Sequence, residues 1–477
     1  MRTQHATSQT KPAFYLALFG LMLACHAARA QTLVSGNVSG TWTPANNPYI
    51  ATDNCTVPPG QTLTLLPGVI FTLGQNLSVT VNGSIQAIGR PTNRITIQAP
   101  SSSLYWNSIQ LIYDGRTNRF KYCEFINAST ALWLKVSTVN ATMNAEIMNC
   151  NFSNCTSVGI YGESEGWYFC TMSGCYPQSP TLSPTIKNCN FDSCGEGCKF
   201  LIYGHDNPFQ SRGVGSASPV IAGNVFAGLP SAAISFEVGS WAASSHPVVI
   251  NNTIVNCGLG VVSQEPWDVR IQDNIFTSTT NAVKTSGALS RAVSYNDFFG
   301  NLTNFTGYPG TYGQVVFTNR NGTPSDILYN IFQDPVFVAT NNFYLATNSA
   351  CIDAGTPDTA FCDLCFQLSL GTQFADLGAY GGPDACNWLD VVPKLPAQAL
   401  MLKTNDVISL NWGAIPRSEY QVQYVTNLAV AGTNNWMNFT NGRVLATEKP
   451  TSLIVATNTS QSRQFFRIES LGRTAGN

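Results

Sequence analysis

Charge is what this sequence lacks. Asp, Glu, Lys and Arg make up 10% of its 477 residues, against roughly a quarter in an ordinary soluble domain. The charged helix formers are therefore scarce, which argues against a mostly helical chain. A cationic excess is missing too: the formal net charge of −2 leaves no electrostatic footprint for a nucleic-acid partner. Beyond residue 30 no apolar run is long enough to cross a bilayer, and only His205 and His246 remain of the histidines. Apolar residues are not lacking. At 44% hydrophobic and 11% aromatic, the chain has ample surface to bury, which excludes intrinsic disorder. Its length exceeds one compact core, so one long repetitive domain or two domains are expected.

The first thirty residues differ from the rest. Arg2 and Lys11 precede an apolar stretch, Ala13 to Leu23, and Ala28-Arg29-Ala30 closes the segment. This pattern predicts a secretory signal peptide over residues 1–30 and a mature start at Gln31. Loss of Arg2, Lys11 and Arg29 takes the net charge from −2 to −5, and loss of Cys25 leaves fourteen of the 15 cysteines. Such a number suits an oxidising compartment. The expectation is an exported protein, secreted or held at the cell envelope, monomeric and without a membrane span.

A short pattern, Asn/Cys-x-Phe/Ile, recurs through the middle of the chain. It runs Cys123-Glu124-Phe125, Cys150-Asn151-Phe152, Cys189-Asn190-Phe191, Asn224-Val225-Phe226, Asn252-Thr253-Ile254, Asn274-Ile275-Phe276, Asn296-Asp297-Phe298 and Asn330-Ile331-Phe332. The intervals are 27, 39, 35, 28, 22, 22 and 34 residues, so the shortest sets the unit and the others add a loop. Each unit reads as short alternating strands that cannot bury an apolar face alone. Stacked units can, with equivalent residues about 4.8 Å apart. Stacking predicts a ladder of Asn side chains bonded rung to rung and a column of Phe and Ile inside. The dense alternation from Thr62 to Ile97 suits the first rungs.

These units resemble the right-handed parallel β-helix of the pectin-lyase-like superfamily over roughly residues 35–390. The opening VPPGQTLTLLPGVIF is similar to the first segment of secreted bacterial members. Asp334-Pro335-Val336-Phe337, FYLATNSACIDAG and DLGAYGG at 376–382 resemble their final rungs. The resemblance implies an all-β solenoid over 31–390. It implies little about activity, because the fold hosts polysaccharide lyases and hydrolases, adhesins and inert spacers. Residues 391–399 (VVPKLPAQA) read as a linker. Residues 400–477 alternate as short strands and resemble a small fibronectin type III-like β-sandwich.

Cys123, Cys150 and Cys189 occupy the motif position, and Cys155, Cys194 and Cys257 follow it by five residues; all six are expected to stack inward. Cys170 and Cys175 are expected to staple a loop. Cys362-Asp363-Leu364-Cys365 has no second Cys-x-x-Cys and no nearby His, so pairing with Cys351 and Cys386 is favoured over a metal.

Aligned units place their extra residues about eleven positions after each motif Phe or Ile, in loops near 163–183, 204–218, 237–246 and 264–268. Insertions at one register project from one face of a solenoid. These loops gather Glu163, Glu165, Trp167 and Tyr168; His205, Asp206 and Arg212; Glu237, Trp241 and His246; and Glu265, Trp267 and Asp268. In this alignment Glu163, His205, Glu237 and Glu265 come close to one column. Carboxylates on adjacent rungs would stand about 5 Å apart, the spacing of a retaining glycosidase pair. A hydrolase would then use Glu237 and Glu265 as acid and nucleophile or base, assisted by His205 and Glu163. Trp167, Trp241 and Trp267 would be sugar platforms, with Arg212 and Asp206 contacting substrate. The superfamily's catalytic sets are poorly matched: Tyr203-Gly204-His205-Asp206 faintly echoes a Gly-His-Gly motif, no Asn-Thr-Asp is present, and Arg212 and Arg270 lack a neighbouring acid cluster. No protein-bound metal is expected, although Ca²⁺ stays open as a cofactor at Asp353, Asp358 and Asp376, which read first as capping residues. The leading expectation is an exported β-helix that binds an extracellular polysaccharide along its loop-decorated face, with cleavage as a lyase or glycoside hydrolase left open. The alternative is a non-catalytic surface or adhesion protein with the solenoid as a rigid spacer.

Overall fold

A computed structural model describes residues 31–390 apart from 138–139, 173, 207–211, 241–242, 244, 266, 287–292, 340–341 and 366–367, together with the backbone of six strands between 400 and 473. The expected signal peptide and linker lie outside the described residues. The described chain is an all-β parallel solenoid with three ladders of short strands. Face one runs from Tyr49, at the start of Tyr49–Val57, to Asp297–Phe299 and carries the motif. Face two runs from Cys55, near the end of Tyr49–Val57, to Thr303–Thr306, and face three from Gly40–Trp42 to Val293–Ser294. Each strand pairs in parallel with its counterpart one turn away, as in Asn151↔Asn190 and Asn190↔Val225.

Both expected columns are present. Asn224, Asn252, Asn274 and Asn296 each donate from Nδ2 to the Oδ1 of the next Asn, ending at Asn330, over 2.9–3.1 Å. In the earlier rungs, buried Cys123, Cys150 and Cys189 take the same place as free thiols. Phe125, Phe152, Phe191 and Phe226 stack face to face at 4.7 Å between centroids. The same stacking resumes between Phe276 and Phe298 after Ile254. One continuous apolar core therefore runs from Val38 to Phe298.

Tight corners explain the Asn-rich composition. The residue before each motif Cys or Asn is left-handed: Tyr122, Asn149, Asn188, Gly223, Asn251, Asp273 and Tyr295 have φ of 51–65°. Four residues after the motif position, Asn127, Asn154, Ser193, Gly228, Asn256, Ser278 and Gly300 repeat the conformation at the corner between faces one and two. Gly, Asn and Asp tolerate this region most readily, so a column of corners selects them.

The segments expected to be final rungs are something else. After Ile331 the chain adds no parallel strand among the described residues. It turns back along the corner between faces three and one as a strap. Thr356 N donates to Asp273 Oδ1 at 2.8 Å and Asn251 Nδ2 to the Asp376 carbonyl at 3.1 Å. Further back, Asn188 Nδ2 reaches the Asp384 carbonyl and Asn149 Nδ2 the Asn387 carbonyl. The Trp388 indole N–H donates to the Gly223 carbonyl at 3.0 Å. The same Asn side chains that suit the corners thus hold the strap. Asp353, Asp358 and Asp376 all accept backbone N–H groups within it, the capping work expected of them. Cys365 pairs with Cys386 and Cys170 with Cys175. Cys351 is not bridged: it is a buried thiol beside Asp297.

Beyond residue 399 the backbone forms two antiparallel sheets. One orders Leu400–Thr404, Val407–Trp412 and Thr451–Ala456; the other places Ser418–Val425 between Met437–Leu445 and Phe465–Arg473.

Candidate functional site

The insertions leave the solenoid where expected, between faces two and three, but the strands of face two reach further than the sequence suggested. They extend over Thr130–Ser137, Val158–Glu165, Glu196–Asp206 and Ala232–Val238. Glu163, Glu165, His205 and Glu237 therefore belong to the sheet and not to loops. Alternation along each strand sends Leu132, Leu134 and Val136 into the core and leaves Trp133, Lys135 and Ser137 outward.

The pairing register sets three outward columns. Trp133, Tyr161, Lys199 and Ser235 form one; Lys135, Glu163, Leu201 and Glu237 form the second; Ser137, Glu165 and Tyr203 form the third. The single column of Glu163, His205, Glu237 and Glu265 is thus corrected. Leu201 stands between the two glutamates, which leaves them two rungs or about 10 Å apart. His205 lies four residues past Leu201 on the same strand. Exposed Glu265 lies beyond the end of Leu259–Ser263. The physical reason is that the pleat of face two continues through these residues, so strand pairing and not loop length sets their register.

The carboxylates are held by cations. Lys135 Nζ lies 2.9 Å from Glu163 and 3.9 Å from Glu165; Lys199 Nζ lies 2.8 Å from Glu237. His205 Nε2 is 3.1 Å from Glu165 Oε1 and its ring meets Trp167 edge-on with centroids 4.0 Å apart. Trp167, 38% exposed, opens the hairpin Trp167–Thr171 and Gly174–Gln178, stapled by Cys170–Cys175. Trp133 packs on Tyr161 at 5.5 Å. Tyr161 in turn hydrogen-bonds Tyr203. Burial, reinforced by Tyr203 and Glu163, pushes the Tyr161 phenol well above its ordinary value, so it remains a neutral hydrogen-bonding group.

Several expected site residues serve the framework. Trp267 is buried against Phe236 at 5.0 Å and donates its indole N–H to the Glu237 carbonyl, so it offers no platform. His246 pairs with Asp268 at 3.3 Å. Arg270 sits on face three, bonded to Gln272 and lying over the Phe361 ring of the strap. Asp206 and Arg212 oppose each other across an antiparallel turn, with their side chains outside the described residues, as is Trp241. No group of three His, Cys, Asp or Glu side chains among the described residues could hold a metal ion.

Trp133, Tyr161, Tyr203, Lys135 and Lys199 were not expected as site residues. Their signal lies in the alternation of TALWLKVS, VGIYGESE and EGCKFLIYGHD, where most alternate residues from Trp133, Tyr161 and Lys199 onward are aromatic or charged. The fold and this face define a parallel β-solenoid with a polar, aromatic-studded sheet surface walled by a stapled hairpin. Searches found no family model and no curated protein that matches the chain.

Proposed function

We propose that the protein is exported and binds an extracellular polysaccharide along the outward side of face two. The observation that carries this reading is the juxtaposition of Trp133, Tyr161 and Tyr203 with the ion pairs Lys135–Glu163 and Lys199–Glu237 on successive rungs. Aromatic faces suit the C–H faces of sugar rings, and charged donors and acceptors suit their hydroxyls. A polymer lying along the solenoid axis would meet groups repeated about every 4.8 Å. Export is supported by the signal-like residues 1–30 and by two disulfides. The two C-terminal sheets support a fibronectin type III-like module, and the parallel ladders support kinship with the pectin-lyase-like β-helices.

Binding is favoured over cleavage. A retaining pair needs carboxyls about 5 Å apart, whereas Glu163 and Glu237 stand two rungs apart and each is tied to a lysine. The test is a polysaccharide array followed by reducing-end and unsaturated-product assays. Retention without product is expected, with affinity lost in Trp133→Ala and Tyr161→Ala. Failure to retain any polysaccharide would overturn the reading in favour of a spacer or adhesion role. Product formation abolished by Glu237→Gln would restore the hydrolase.

A further inference from the structure

Resting on that reading, we infer that the face-two surface selects an uncharged glycan and rejects polyuronates and other acidic polysaccharides. Recognition of a polyanion needs cations left over to meet it. Among the described side chains around the aromatic patch they are already matched. Lys135 is shared between Glu163 and Glu165, Lys199 is held by Glu237, and His205 faces Glu165. These lysines and glutamates sum to a net negative charge around the aromatic patch, so a uronate carboxylate would meet glutamates as often as ammonium groups. Lys284, three rungs beyond Lys199 in the same column, is one exposed cation at the margin and not a track.

The same surface suits neutral sugars. Lys199 Nζ and Glu237 Oε1, 2.8 Å apart and both partly exposed, present a donor beside an acceptor, whereas the Glu163 carboxylate beside Lys135 is buried. A vicinal diol fits such a pair: one hydroxyl donates to the carboxylate while its neighbour accepts from the ammonium. Lys135–Glu163 spans two successive rungs and Lys199–Glu237 the next two, and Trp133 and Tyr161 stand beside them to stack a ring. This reader, with the part-exposed Lys135 ammonium two rungs away, fits a repeating chain.

The test uses the full chain and two sets of probes, neutral cello-, manno- and xylo-hexaose with soluble arabinan, against polygalacturonate and alginate. The expected result is binding of at least one neutral probe, little changed between 0.05 and about 0.5 M NaCl, and at least tenfold weaker retention of both polyuronates. Glu163→Gln combined with Glu237→Gln releases Lys199 and leaves Lys135 only the longer contact with Glu165. The variant should gain salt-sensitive polygalacturonate binding of roughly tenfold or more, with its melting curve checked against the parent. Tight, salt-sensitive binding of polygalacturonate or alginate by the parent protein would overturn the selectivity while leaving glycan binding intact. Absence of binding to both sets would overturn the polysaccharide reading itself.

Discussion

Replacing Asn274 by Ala removes the centre of the amide ladder. Asn274 Nδ2 donates to the carbonyls of Val249 and Gln272 at 3.0 and 2.8 Å and to Asn296 Oδ1 at 3.0 Å. Its Oδ1 accepts the Asn252 backbone N–H at 2.8 Å and Asn252 Nδ2 at 3.0 Å. The side chain is fully buried, so water cannot replace these partners. The Nδ2 group shares two N–H among its three acceptors, so about four bonds are lost. At about 1 kcal/mol net for each, the predicted destabilisation is about 4 kcal/mol. The Asn252 N–H is left with no acceptor, which pushes the figure upward, while small shifts of the corner pull it down. Equilibrium unfolding in guanidinium chloride, followed by far-ultraviolet circular dichroism, measures the loss. Because rungs couple to their neighbours, the midpoint should fall and the transition should broaden as the solenoid splits at the weakened rung. A loss below about 1 kcal/mol with an unchanged slope would refute the ladder as a source of stability.

Cys386→Ser opens the disulfide that closes a span of 21 residues in the strap; loop entropy puts the cost near 3 kcal/mol. Limited proteolysis should then cut within 356–388 before any rung of face two. Burial pushes the Asp297 carboxyl up to about 8 and the Asp273 carboxyl up to about 7. Between pH 4 and 8 the folded protein therefore holds protons that the unfolded chain has released, so their contribution declines as pH rises through that window. The slope approaches about 1.4 kcal/mol per pH unit for each group. Asp297→Asn should flatten the decline of melting temperature from pH 5 to 8; an unaltered profile would contradict the assignment.

The solenoid was legible because stacking forces repetition. Each rung must supply the same corner and the same inward residue, so the motif announces both the Asn ladder and the Phe column. The strap obeys no such rule. Asn149 meets Asn387 from 238 residues away, and its residues carry no period, so DLGAYGG read as another rung. At the candidate site, composition pointed to the edge of the solenoid where Trp167 and His205 meet. The register was harder to read. Strand length decides which glutamates align, and the pleat continued through Glu165, Asp206 and Val238. Trp267 misled because an aromatic beside Glu265 and Asp268 in a short turn looks solvent-facing, whereas the turn folds its indole onto Phe236.

Hydroxyl-radical footprinting of the full chain, with and without the best-retained oligosaccharide, tests the central claim most directly. Protection is predicted at Trp133, Tyr161, Tyr203 and Trp167, with Tyr344 and Phe361 of the strap unchanged. Protection confined to the strap or to residues beyond 400, with these four aromatics unaffected, would contradict the assignment of face two as the binding surface.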